Sequence, residues 1–519
     1  MKKCIYISIP VIIAVAFCII SCNKSIDGRT DNLPALAPGN IDLNAGVWKT
    51  VLLKRPDTFA IATPAATNSP GYVGELNEIK ALQQNSTHDQ IDNIKYWNAG
   101  AVLRWNEIMR DLVAKHNLPP YQNEDGSYPA PNSANPFNYP QFPFSNPPYA
   151  ARAYAYVSAA QYDALVACWY FKKLYSRSAP YKIDSTINAN AKYISKTDLP
   201  SYPSEDAVLA GVTGELMKLF FPTEIAFVEQ KATDEEASTI GSGKATRSDW
   251  TAGEALGRQI ASVFAARGRA DHAGAAIGTP AIWTSLANNA TALGQTPWIS
   301  LETPKRPPML PLFGNVTPFL FDSLTAVALR PGPPPSTSSN DFYQENAAAY
   351  NQIKNPTRDQ QRIVQFWADG VATYTPAGHW NAIAAEDFVK QSYSEVRWAR
   401  NMALLNMAEM DASIVCWNTK YFYFNPRPSQ MIPGVKTLTG VPNFPSYISG
   451  HSTFSNAAAA ILSHIIPENA AKYQAMSNEA ALSRFISGIH TKVDCDSGLV
   501  VGKNIGNYAV QRALTDGAE

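Results

Sequence analysis

The residues best suited to chemistry lie between 420 and 494: Lys420, Arg427 before Pro428, Ser449-Gly450-His451, Ser483-Arg484, His490 and Asp494, in that order. Lysine and two arginines carry fixed positive charge, and the glycine can bring a bare backbone N–H close to a ligand. That inventory suits a tetrahedral oxyanion: the cations neutralise its charge and short donors reach its oxygens. Of the two histidines, one can bond to the central atom while the other moves protons. Asp494 follows His490 by four positions. If a helix begins across Arg484 to Asp494, the pair shares a face; the carboxylate then holds one imidazole nitrogen as a donor and leaves the other free. Gly450 and His451 open the Ala-rich run Ser452 to Ile466, and a turn that opens a helix is a natural anion site.

The elements that must position these residues read as helices. From Ile94 onward apolar residues recur at three- and four-residue spacing, as in Trp97 to His116 and Tyr149 to Tyr175, and strand-like alternation is scarce. Two proline-rich stretches, Leu118 to Pro148 and Pro304 to Pro335, predict long surface loops. The chain also repeats itself. Pro200 to Asp206 lies over Pro445 to His451, and the register holds without a gap through Pro222/Pro467, Ser238/Ser483, Gly243/Gly488, Asp249/Asp494 and Gly257/Gly502. Upstream, Cys168-Trp169 matches Cys416-Trp417, and Trp97 echoes Trp367. Collinearity of this kind points to an ancestral duplication. The copies differ where chemistry would sit: Glu205 and Asp206 replace Gly450 and His451, Ala179 replaces Arg427, Thr239 replaces Arg484 and Ala245 replaces His490. The first copy is therefore expected to be a structural half. The expected architecture is all-α, two four-helix bundles with additional helices, related by a pseudo-twofold.

The spacing Lys420, six residues, Arg427-Pro428; Ser449-Gly450-His451; Ser483-Arg484, five residues, His490, three residues, Asp494 resembles the superfamily of type 2 phosphatidic-acid phosphatases, bacterial acid phosphatases and vanadium-dependent haloperoxidases. One departure is Ile448, where that superfamily usually has proline. The resemblance implies that Lys420, Arg427, Ser449, Gly450 and Arg484 bind the oxyanion, that His490 is the vanadium ligand in a peroxidase or the nucleophile in a phosphatase, and that His451 is its acid or base. In chloride-oxidising members an aromatic pair at the places of Trp417 and Phe444 lines the halide site. With the duplication and the linker from Arg306 to Tyr343, this favours the secreted bacterial haloperoxidase-like branch. Its implied cofactor is vanadate, its partners hydrogen peroxide and halide. The alternatives are a cofactor-free acid phosphatase acting on a phosphate ester through a phosphohistidine, and a lipoprotein that binds an oxyanion without turnover. Related enzymes often dimerise.

The 519 residues, with Lys+Arg 43 against Asp+Glu 43 and 45% hydrophobic content, suffice for two domain-sized units. Zero net charge leaves no footprint for nucleic acid. Lys2 and Lys3 before the apolar run Ile5 to Ile20 read as a targeting segment, and Ile19-Ile20-Ser21-Cys22 resembles a bacterial lipobox. Cleavage would leave a lipid-bearing Cys22 as the membrane tether and place the folded part outside the cytoplasm, at the periplasm or cell surface. The remaining Cys168, Cys416 and Cys495 are spaced for neither a disulfide framework nor a zinc site and read as core packing. The expected division is a signal over 1–22, an irregular lead-in over 23–90, a degenerate bundle over 91–300, a proline-rich connection over 301–360 and the site-bearing bundle over 361–519.

Overall fold

A computed structural model of the chain describes residues 33–118, 146–188, 190–193, 199–303, 305–432 and 434–518. The targeting segment with Cys22 and most of the first proline-rich stretch lie outside them. Among the described residues every regular element is a helix.

Two long helices, Pro147–Tyr175 and Glu395–Tyr423, form the centre and pack on one another. Each is buried on nearly every face, as a helix apolar all round must be. Both end at a residue in the left-handed region, Ser176 (φ 48) and Phe424 (φ 49), whose N–H caps the carbonyl of Lys172 or Lys420. The helices Glu205–Phe220, Ile225–Ser242 and Arg247–Ala270 then surround the first, and Gly450–Ile465, Ala470–Ile486 and Lys492–Ala513 surround the second. The duplication is visible in the supports as well. Buried Asp163 accepts the N–H groups of Val51, Leu52 and Leu53, and its counterpart Asp411 accepts those of Phe319 and Leu320. Asp249 and Asp494 each complete a capping box at the start of the last helix. The Tyr202–Pro203 and Tyr447–Ile448 peptide bonds are both cis.

Helix Lys492–Ala513 approaches helix Gly450–Ile465 through glycines. A Cβ on Gly502 would stand 2.3 Å from the Thr453 carbonyl oxygen, as one on Gly257 would stand 2.2 Å from that of Val208. Gly502→Ala is expected to force the two helices apart and destabilise the fold by about 1–3 kcal/mol, read as a lower denaturation midpoint. A midpoint equal to the parent's would show that the helices part without loss.

Several expectations need correction. Helix Pro70–Gln84 and the start of His88–Asn98 fall within the stretch expected to be irregular, and Asn340–Lys354 lies inside the proline-rich connection. Each starts at a Ser or Thr cap, Ser69, Thr87 and Ser339, but buries only a narrow stripe, so the apolar period is faint among polar residues. The connection also carries helix Ser323–Ala328. Cys168, Cys416 and Cys495 are buried and unbridged.

Candidate active site

His490 stands just before Thr491, which caps helix Lys492–Ala513. No helix runs from Arg484 through His490; the preceding one ends at Ile486. The pair meets instead at a helix start. Asp494 Oδ2 accepts the Thr491 N–H at 3.0 Å and the Ser446 hydroxyl at 2.5 Å, and lies 3.0 Å from His490 Nδ1. A carboxylate only accepts, so Nδ1 carries the proton and Nε2 keeps its lone pair. Arg427 Nη1 lies 3.4 Å from that Nε2.

The cations are buried behind this edge. Arg427 donates from Nε to Phe444 O (2.9 Å) and from Nη1 to Ile489 O (2.8 Å), and its Nη2 has no partner. Lys420 donates to the carbonyls of Pro445 and Ser446 at 2.9 and 2.8 Å. Arg484 donates to Ser483 Oγ at 2.8 Å. Burial pushes Lys420 down to about 7, Arg427 to about 9 and Arg484 to about 10. His490 is held well below its ordinary value by burial and by Arg427.

Ser449 caps helix Gly450–Ile465, its hydroxyl accepting the Ser452 N–H at 3.4 Å, and is fully buried. Gly450 occupies the first helical position. A Cβ there would meet only Phe454 and Trp417 carbons at 3.9 Å, so protein packing does not demand glycine; what its absence of side chain leaves uncovered is an N–H at a helix start. Gly450, His451, Arg484 and His490 line one cavity of about 530 Å³ together with Trp417 and Phe444. Those two rings pack at 5.0 Å, with Lys420 Nζ and Arg427 Cζ each 4.9 Å from the Phe444 centroid.

Sequence reasoning missed Asp369. It lines the same cavity, and its Oδ2 lies 3.3 Å from His451 Nε2, while Oδ1 lies 2.9 Å from His379 Nδ1. Neither atom of the first contact is in an aligned hydrogen bond, and the contact becomes an ion pair only when His451 is protonated. Burial opposes its charge, yet His379 and His451 hold its carboxyl below the ordinary value. His451 is pushed down to about 4 by burial and Arg484, against the upward pull of Asp369. His379 sits against the Trp367 ring at 4.7 Å and orients Asp369.

The sequence profile of the PAP2 superfamily matches residues 401–515, which span all of these groups but Asp369 and His379. Residues 401–515 belong to the PAP2 superfamily. The wider chain has the fold of its vanadium-dependent members. A bacterial vanadium-dependent iodoperoxidase superposes with a TM-score of 0.53 at 22% identity, over 71% of this chain and 91% of its own. A bacterial vanadium-dependent chloroperoxidase in its holo form gives 0.50 at 12%, over 74% and 96%. No curated protein matches the sequence.

The PAP2 site fits vanadate as a donor set. Among the described residues no three His, Cys, Asp or Glu side chains gather as they would around a metal cation. One free imidazole nitrogen, buried cations and an unpartnered guanidinium N–H suit a metal oxyanion or phosphate instead. Lys420 sets a pH dependence. The bound anion favours its charged form, whereas in the free site it loses its proton near pH 7. Below that value its charge is in place; above it, binding must take up a proton. Allowing for the ligand's own titration, vanadate or phosphate affinity is expected to fall by up to about tenfold per pH unit above about 7. Calorimetry in buffers of different ionisation enthalpy would detect that proton; its absence would mean Lys420 is already charged.

Proposed function

We propose that the protein is a vanadate-dependent haloperoxidase, oxidising halide with hydrogen peroxide. The observation that carries this reading is the Nε2 edge of His490, which keeps its lone pair 3.4 Å from Nη1 of buried Arg427 in a cavity that Arg484 also lines, with the Asp494 carboxylate confined to the other ring nitrogen. Bound vanadate would supply a Lewis-acid centre that activates peroxide toward halide. His490 Nε2 would be its ligand, the Gly450 N–H and the arginines would meet its oxygens, and Lys420 would add charge from behind Phe444. At neutral pH His451 is a free base, suited to taking a proton from hydrogen peroxide. The Trp417–Phe444 wall, backed by two cations, offers a halide both apolar surface and positive potential. The fold shared with vanadium-dependent iodo- and chloroperoxidases supports the same reading.

The test uses protein beginning at residue 23, incubated with orthovanadate and assayed for iodide-, bromide- and chloride-dependent halogenation with peroxide. Vanadate-free protein is assayed in parallel on an aryl phosphate. Vanadate-dependent halogenation supports the peroxidase. Ester hydrolysis inhibited by vanadate, without halogenation, would make this a phosphatase in which His490 attacks phosphorus and His451 protonates the leaving alcohol. Saturable vanadate binding without either reaction would make it a binding protein. The proposal also places the chain outside the cytoplasm, tethered through Cys22. Cys22→Ser is expected to abolish incorporation of labelled fatty acid; retained label would move the attachment elsewhere.

A further inference from the structure

The N-terminal bundle keeps a cavity at the place where the C-terminal bundle has its site, and its charge is inverted. The cavity, about 80 Å³, is lined by Trp97, Asn98, Trp169, Glu205, Asp206 and Glu395 among others. Where an oxyanion would meet Gly450 and His451, it presents Glu205 and Asp206. Their partners account for only part of the charge. Asp206 Oδ2 pairs with Lys244 Nζ at 2.6 Å and accepts the Thr239 hydroxyl at 2.7 Å. Glu205 Oε1 accepts the Trp169 indole N–H at 2.7 Å, and its Oε2 stands 3.8 Å from Lys172 Nζ, which already donates to the Pro200 carbonyl. Glu395, from the other bundle, accepts the Val102 N–H at 2.6 Å through Oε1. Among the described residues its Oε2 takes no hydrogen bond.

Behind these, Glu235 accepts the Trp105 indole N–H at 2.7 Å and has an unpartnered Oε1; burial drives its carboxyl well above the ordinary value. Asp206, Glu205 and Glu395 thus face Lys172 and Lys244, and the balance favours a further positive charge. The indoles of Trp97 and Trp169 in the wall suit an organic cation. A second, independent observation concerns Asn98. Its side chain is 5% exposed, lines the cavity, and its Nδ2 has no partner. A buried amide N–H without an acceptor calls for one on a ligand.

We propose that this cavity binds a small organic ammonium that also carries a hydroxyl, an amino alcohol. The ammonium sits among Glu205, Glu395 and the indole faces, and the hydroxyl oxygen accepts from Asn98 Nδ2. The volume admits only a few non-hydrogen atoms, so affinity lies in the upper micromolar to millimolar range.

Calorimetric titration of the protein with ethanolamine tests this, at a pH of about 8, above the value of about 7 to which burial pushes Glu395. Propylamine has the same number of heavy atoms without the hydroxyl, and ethylene glycol lacks the charge. One ethanolamine is expected to bind per chain, propylamine about tenfold more weakly, and ethylene glycol not at all. Glu395→Gln should abolish binding of both amines. Asn98→Ala should leave both bound and remove the preference between them, a ratio that does not depend on how stable the variant is. No saturable heat with ethanolamine, unchanged binding in Glu395→Gln, or an unchanged preference in Asn98→Ala would overturn the assignment.

Discussion

His490→Ala protein is expected to bind no vanadate and to lose turnover by on the order of 10³-fold or more in whichever reaction the site performs. The imidazole supplies the Lewis base that faces the buried cations, and no neighbouring group can take its place: the Asp494 carboxylate is spent on Nδ1, Ser446 and the Thr491 N–H. Equilibrium dialysis of vanadate reads the binding directly. Asp494→Asn is expected to be milder, about 10–100-fold in vanadate affinity, because an amide can still accept the Thr491 N–H while holding the ring less well. It should also lower stability, since Asp494 completes the capping box of its helix. The silent copy separates these two jobs. Asp249 still caps helix Arg247–Ala270, but in place of an imidazole it has the Arg177 guanidinium. If His490→Ala bound vanadate as the parent does, the assignment of the ligand would be wrong.

Much of this site could be read from the residues alone, because its groups sit in short runs whose spacing is fixed by helix ends. Ser449 and Thr491 are the caps, and Gly450 and His490 follow or precede them by one position. The duplication was legible for the same reason: caps, close-approach glycines and buried supports recur in both copies even where the chemistry has gone. Asp369 was not legible. It lies in no helix, adopts φ 45, and meets its partners from a turn after Trp367. The corresponding place in the silent copy, two residues after Trp97, is Ala99, so the repeat offered no echo. The set-back positions of Lys420 and Ser449, one bonded to two carbonyls and the other accepting the Ser452 N–H as a helix cap, likewise depend on tertiary packing that no local pattern encodes.

Asp369 and His451 yield the second large effect, and it should split binding from turnover. His451→Ala is expected to hold vanadate within a few-fold of the parent, since His490, Arg427 and Arg484 remain, but to lose about 10²–10⁴-fold in turnover with the missing base. Asp369→Asn acts through His451. The carboxylate pulls the His451 pKa up against burial and Arg484, which together still hold it down at about 4. Without it His451 becomes a weaker base, and the limb of the pH–rate profile that reports His451 should move to lower pH. Arg484 loses the same neighbour, whose charge supports its protonated form. A shifted profile is a readout that mere loosening of the fold would not produce, and His379→Phe, which leaves Asp369 charged but unheld, should lower the rate with a smaller shift. Full activity in His451→Ala would remove His451 from the role of base, and vanadate loss as complete as in His490→Ala would return it to the anion cradle.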